Sequence, residues 1–194
     1  MYQRLAGSTW RNIWLVGDLH GCFALLMSQL RQLKFDPWQD LLISVGDLID
    51  RGPQSVECLG LLRCRWFRAV RGNHEQMALD ALASGEMALW TMNGGGWYPT
   101  ASQEQKRLAD LLFNRCRDVP LIIELRCQDT THVIAHADYP ASVYRWQLPV
   151  DEHQVLWGRQ RLTDHLAGRH GEIAGADHFW FGHTPLKRRY DSDN

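Results

Sequence analysis

Five times along this chain a short apolar run ends in residues able to ligate a metal: Gly17-Asp18-Leu19-His20-Gly21, Gly46-Asp47-Leu48-Ile49-Asp50-Arg51-Gly52, Gly72-Asn73-His74-Glu75, His136-Ala137-Asp138 and Gly182-His183-Thr184-Pro185. The second is the richest, since Asp47 can hold a cation while Arg51 holds an anion. A single Asp-x-x-Asp-Arg-Gly turn would be no more than a loop with a solvated ion pair. Recurrence of the pattern at five strand ends gives it a chemical meaning.

Asp18, His20, Asp47, Asn73, His136 and His183 offer carboxylate oxygen, amide oxygen and imidazole nitrogen with no thiolate. Such a mixed hard and borderline set suits manganese, iron or zinc in a catalytic site. Six ligands exceed what one catalytic ion with an open position needs. Two ions about 3.5 to 4 Å apart, bridged by Asp47 and by a water they acidify, would use them all. The resulting hydroxide could attack phosphorus in line if the phosphoryl charge were neutralised and the leaving oxygen protonated. Arg51 and Arg159, with their forked guanidinium donors, are the candidates for the first task. His74 is the candidate acid, with Asp50 to orient and charge it. No nucleophilic side chain is needed, and the sequence carries no Gly-x-Ser-x-Gly element that would supply one.

These residues must be positioned by a repeating βα framework. Strands are expected at 13–16, 41–45, 66–70, 121–125, 132–135 and 178–181, the fourth and fifth forming a hairpin through 128–130. Helices are expected at about 22–34, from 53 to about 62, 74–84 and 102–115. The first would bury Leu25, Leu26, Gln29, Leu30 and Leu33, and the last Leu108, Leu111, Leu112 and Arg115. Asp18 to Asp47 spans 29 positions and Asp47 to Asn73 spans 26, close to one βαβ period each. The carboxyl ends of parallel strands face one crevice, so the ligand loops should converge there. The Asn93-Gly94-Gly95-Gly96 run reads as a connector, and Lys187-Arg188-Arg189 as a solvated patch.

With 194 residues, 45% of them hydrophobic, the chain suits a single domain over 1–194. Its net charge of -1 provides no global field towards nucleic acid or anionic lipid, so any anion must be held locally. Five cysteines without a Cys-x-x-Cys pair argue against a disulfide framework or a zinc ribbon and fit a reducing compartment. There is no signal-peptide core and no membrane-spanning apolar run. A cytoplasmic monomer is expected, without nucleic-acid or membrane partners.

Together the five segments resemble the ordered signature of the phosphoprotein phosphatase family of binuclear metallophosphatases, over about residues 13–185. The likeness extends to the short phage and enterobacterial serine/threonine phosphatases through His136-Ala137-Asp138-Tyr139-Pro140 and Trp157-Gly158-Arg159. It implies a four-layer α/β/β/α sandwich, two mixed sheets flanked by helices, working with manganese on phosphorylated proteins or peptides. It implies one ion on Asp18, His20 and Asp47 and a second on Asp47, Asn73, His136 and His183. Phosphate contacts would come from Arg51, Arg159 and Asn73, and the acid pair would be His74 and Asp50. Members usually continue past the last histidine into further strands, so the resemblance implies either that the sequence ending at Asn194 is truncated or that one sheet edge is left uncovered.

Two rival readings share these features. A symmetrical dinucleoside polyphosphate hydrolase would have the same fold and metals, but Asp50 and Glu75 favour the protein phosphatase. A non-catalytic binding module of the same fold would be expected to have lost ligands or the acid histidine, and none is missing.

Overall fold

A computed structural model describes residues 1–169 and 171–186, so Lys187-Arg188-Arg189 and His170 lie outside the described residues. The chain runs through β1 (Tyr2–Ala6), β2 (Ile13–Val16), α1 (Phe23–Gln32), β3 (Leu41–Ser44), α2 (Ser55–Gly60), β4 (Phe67–Ala69) and α3 (Asn73–Ser84). Short helical turns follow, α4 (Ala88–Trp90), Thr91–Gly95 and α5 (Trp97–Thr100), then α6 (Gln103–Cys116). The remainder comprises the hairpin β5 (Ile122–Cys127) and β6 (Thr130–Ala135), then α7 (Glu152–Trp157), α8 (Gln160–Leu166) and β7 (His178–Trp180).

Every residue of β3 is buried, as a strand covered on both faces must be. It pairs in parallel with β2 and β4, aligning Val16 with Ser44 and Ser44 with Ala69, so three strands end at one level. The second sheet has the order β1-β5-β6-β7, with β5 and β6 antiparallel and the other two pairings parallel. Alternation along the strands sorts the side chains into layers. Leu42, Phe67 and Ala69 face helices α1, α2, α3 and α6. Leu41, Ile43 and Val45 meet Ile123, Leu125 and Ile134 between the sheets. Ile122, Val133 and Ala135 face Tyr139, Tyr144 and Val155 on the outside of the second sheet. The result is the expected four-layer sandwich, although the first sheet is wholly parallel instead of mixed. No described helix is long and apolar enough to cross a membrane.

Several local expectations need correction. β1 was not foreseen: it is an outer strand of the second sheet, and its Arg4 lies 2.6 Å from Glu124 on β5, so a polar residue stands where an apolar one would have marked a strand. Helix α1 buries Leu26 and Leu30, while Leu25 is 62% and Leu33 47% exposed and Gln29 is exposed. Helix α6 is rotated relative to the expected face: Ala109, Leu112, Phe113 and Cys116 are buried, whereas Leu108, Leu111 and Arg115 are exposed. Phe113 sets that rotation by packing on Trp90 and Trp97. The segment 140–175 also carries α7 and α8, which the sequence pattern did not reveal.

Candidate metal centre

The three parallel strands deliver three ligand loops at one edge. Asp18 follows the end of β2, Asp47 the end of β3, and Asn73 opens α3 after β4. The loops are stitched together before any side chain is considered. The Asp47 carbonyl accepts the Leu19 and His20 N–H groups at 2.9 and 2.8 Å, and the His20 carbonyl accepts the Gly52 N–H at 3.0 Å. His136 directly follows β6, and its carbonyl accepts the Gly182 N–H at 2.7 Å, which brings His183 beside it. Gly72 packs against the Asp47 loop so closely that an added Cβ would collide with the Asp47 carboxylate. Of the eight described non-glycine residues with positive φ, five are His20, Asp47, Asp50, Arg51 and His183. Backbone strain is thus concentrated among the candidate site residues.

Two groups of side-chain atoms close enough to share an ion result, one from His20, Asp47 and His74 and one from Asp47, His136 and His183, so the first gathers His74 where the sequence pattern placed Asp18. Asp47 belongs to both. His20 Nε2 lies 3.7 Å from Asp47 Oδ2 and 4.0 Å from Asp18 Oδ2. Asn73 Oδ1 lies 2.8 Å from His136 Nε2 and 3.0 Å from His183 Nδ1. Asp18 is also tied to the final loop, accepting the His183 N–H at 3.1 Å.

The donor chemistry fits divalent cations. His20 Nδ1 lies 3.0 Å from the Ile49 carbonyl and His136 Nδ1 2.8 Å from the Val45 carbonyl. Those contacts place the proton on Nδ1 and leave each Nε2 unprotonated, the form in which histidine presents itself to a metal. His136 Nε2 then faces two further acceptors, Asn73 Oδ1 and Asp47 Oδ1 at 3.4 Å, an opposition that a cation resolves. His183 Nε2 is buried with no hydrogen-bond partner. Electrostatics point the same way. Burial, then the charge of Asp18, raises the Asp47 pKa well above the ordinary carboxylate value. Burial lowers His136 to about 4, and burial with the neighbouring His136 and Arg159 lowers His183 to about 3, so both rings are neutral and free to offer a lone pair to a cation.

Beside this centre stands a second constellation. The buried His74 presents Nδ1 to Asp50 Oδ2 at 2.7 Å, and its Nε2 lies 3.9 Å from Asp47 Oδ2. Arg51, at the exposed rim, points one arm at His20 Nε2 at 2.8 Å and the other at His74 Nε2 at 3.1 Å, spanning the two. Arg159 is exposed at the start of α8, where its charge still acts on His183.

Sequence reasoning gave no role to three residues that organise the centre. Glu75 accepts the N–H groups of Asp47, Leu48 and Gly72 at 2.9, 2.8 and 2.9 Å, tying two ligand loops together. Burial, then the Asp47 charge, raises its pKa to about 8. Its position three residues after Gly72 was a usable signal, because a carboxylate there reaches back to a helix start. Trp90 and Trp97 donate their indole N–H groups to Asp50. Their one hint was that they flank the glycine run.

Residues 11–187 match the calcineurin-like phosphoesterase family. The chain is 60% identical over 194 residues to serine/threonine-protein phosphatase 1 of Salmonella typhimurium, covering 100% of this chain and 88% of that protein. It is 45% identical over 183 residues to serine/threonine-protein phosphatase 2 of Escherichia coli, covering 94% of this chain and 84% of that protein. Similarity to the symmetrical bis(5'-nucleosyl)-tetraphosphatase of Mannheimia succiniciproducens is partial, 47% over 64 residues, 32% of this chain and 23% of that protein.

Proposed function

The chain belongs to the calcineurin-like phosphoesterase family, and from that premise we propose that it is a metal-dependent serine/threonine protein phosphatase. The observation that carries the reading is the Arg51 fork, poised between His20 of the ligand set and His74 beside it.

In this reading Asp18, His20 and Asp47 hold one divalent ion, and Asp47, Asn73, His136 and His183 hold the other. When bound, the ions supply positive charge against the phosphoryl oxygens and a water acidic enough to ionise near neutral pH. Arg51 and Arg159 bind the phosphoryl oxygens, Arg51 through the two arms that rest on imidazoles in this structure, and the Asn73 amide joins them. Asp50 holds the Nδ1 proton of His74, which leaves Nε2 to carry a second proton to the departing serine or threonine oxygen. Manganese is the first choice of ion, with iron or zinc as alternatives, because the donors mix hard oxygen with borderline nitrogen. The substrates are phosphorylated proteins or peptides, met by a single chain in the cytoplasm.

A phosphoserine peptide and diadenosine tetraphosphate offered to the manganese-loaded protein separate the readings. Release of phosphate from the peptide alone supports the proposal. Preferential cleavage of the dinucleotide, or none of either, overturns it.

A further inference from the structure

Asp50 is fully buried, and no Lys or Arg pairs with it among the described residues. Its carboxylate is instead surrounded by donors: His74 Nδ1 at 2.7 Å on Oδ2, Trp90 Nε1 at 2.9 Å on Oδ2 and 3.1 Å on Oδ1, and Trp97 Nε1 at 2.7 Å on Oδ1. An indole N–H can donate but not accept, so both oxygens are committed as acceptors and the proton shared with His74 stays on the ring.

Two glycines of the run leave room for this arrangement. At Gly95 a Cβ would collide with the Trp90 indole, and Gly94 has φ 114° with its would-be Cβ 3.0 Å from Arg51 Cγ. Trp90 and Trp97 stand edge to face with centroids 6.0 Å apart, and both pack on Phe113 of α6. Their direction is therefore fixed by the helical layer and not by the pocket.

We propose that Trp90 and Trp97 are positioning residues for leaving-group protonation: their N–H groups lock the Asp50 carboxylate so that His74 turns Nε2 towards the departing oxygen. The inference rests on the phosphatase reading and on His74 as its acid. An acid matters most when the leaving group is poor. An alkoxide needs its proton in the transition state, whereas a nitrophenolate departs almost without one.

Trp97→Phe keeps an aromatic ring against Phe113 but removes the indole N–H together with part of the side-chain volume. With manganese-loaded protein, kcat on a phosphoserine peptide should fall about tenfold with KM little changed, while kcat on 4-nitrophenyl phosphate falls less than about threefold. His74→Asn should show the same bias more strongly, and adding Trp97→Phe to it should cost almost nothing further, because the two act through one group. Trp90→Phe, made separately, should repeat the bias if it folds, as judged by its melting temperature. Equal losses on both substrates, or a loss that adds fully in the His74→Asn background, would overturn the inference and make the indoles packing groups only. If His74→Asn itself lacks the bias, the acid assignment falls and this inference with it. If the wild type releases phosphate from neither substrate, the phosphatase reading fails as a whole.

Discussion

Two buried glutamates, one on each side of the sandwich, do opposite jobs. Glu75 on the parallel side makes no ion pair among the described residues and accepts backbone N–H groups of the Asp47 and Asn73 loops. Glu124 in the mixed sheet accepts from Arg4 at 2.6 Å, Arg126 at 2.8 Å and Tyr144 at 2.6 Å, joining three parts of that half. Burial would raise the Glu124 pKa, but the hydrogen bonds from Arg4, Tyr144 and Arg126 outweigh it and bring the value below the ordinary one. One carboxylate is spent on the geometry of the site and the other on holding strands together. The parallel half also carries four of the six proposed ligands, Asp18, His20, Asp47 and Asn73, while the mixed half carries His136 and His183.

The sharpest way to break the comparison is to remove a ligand from each half. Asp47→Asn touches both ligand groups and should abolish retention of both ions and activity with them. His183→Asn should weaken one ion only, leaving about one equivalent in a metal analysis of purified protein. The glutamates come next. Glu75→Gln should lower metal affinity or kcat by about 10- to 100-fold with a modest stability loss, as expected when a residue that orients ligands is replaced. Glu124→Gln should invert that pattern, costing about 2 kcal/mol in urea unfolding while leaving kcat per folded molecule near normal.

Arg51→Ala tests the rim between the halves. KM should rise and kcat fall, together about 100-fold in kcat/KM, with metal content near normal. A metal-free variant would show instead that Arg51 belongs to the ligand shell.

The smallest effect is expected at the opposite end of the parallel sheet. There Arg11 donates to Asp40 at 2.9 and 2.8 Å. That pair holds the Asp40 carboxyl at about 2, below its usual range. Its contribution is therefore complete above the unfolded value of about 4 and disappears as pH falls through about 2. Arg11→Ala should lower Tm slightly at pH 7, and the gap from wild type should close as pH drops through that window.

The same division explains what the sequence made legible. On the parallel side, each strand, turn and helix repeats one local rule, so the spacing from Asp18 to Asn73 and the meeting of their loops at one sheet edge could be read directly. Where residues meet only through the tertiary fold, local pattern was silent. Trp90 and Trp97 lie 40 and 47 positions from Asp50, too far for any local motif to join them to it. β1 escaped because Arg4 belongs to an ion pair made 120 positions away. Helix α6 was misrotated because leucines at 108 and 111 were given more weight than Ala109 and Cys116, the small residues that let the helix come close.

Asp47 hangs from one sheet and confronts histidines supplied by the other. A cation seated there would act as a rivet through the sandwich, so parting the layers and releasing the ions would become a single event. Each tenfold increase in free divalent ion above its dissociation constant should then strengthen the whole fold by about 1.4 kcal/mol per ion, making resistance to heat a readout of how full the pocket is.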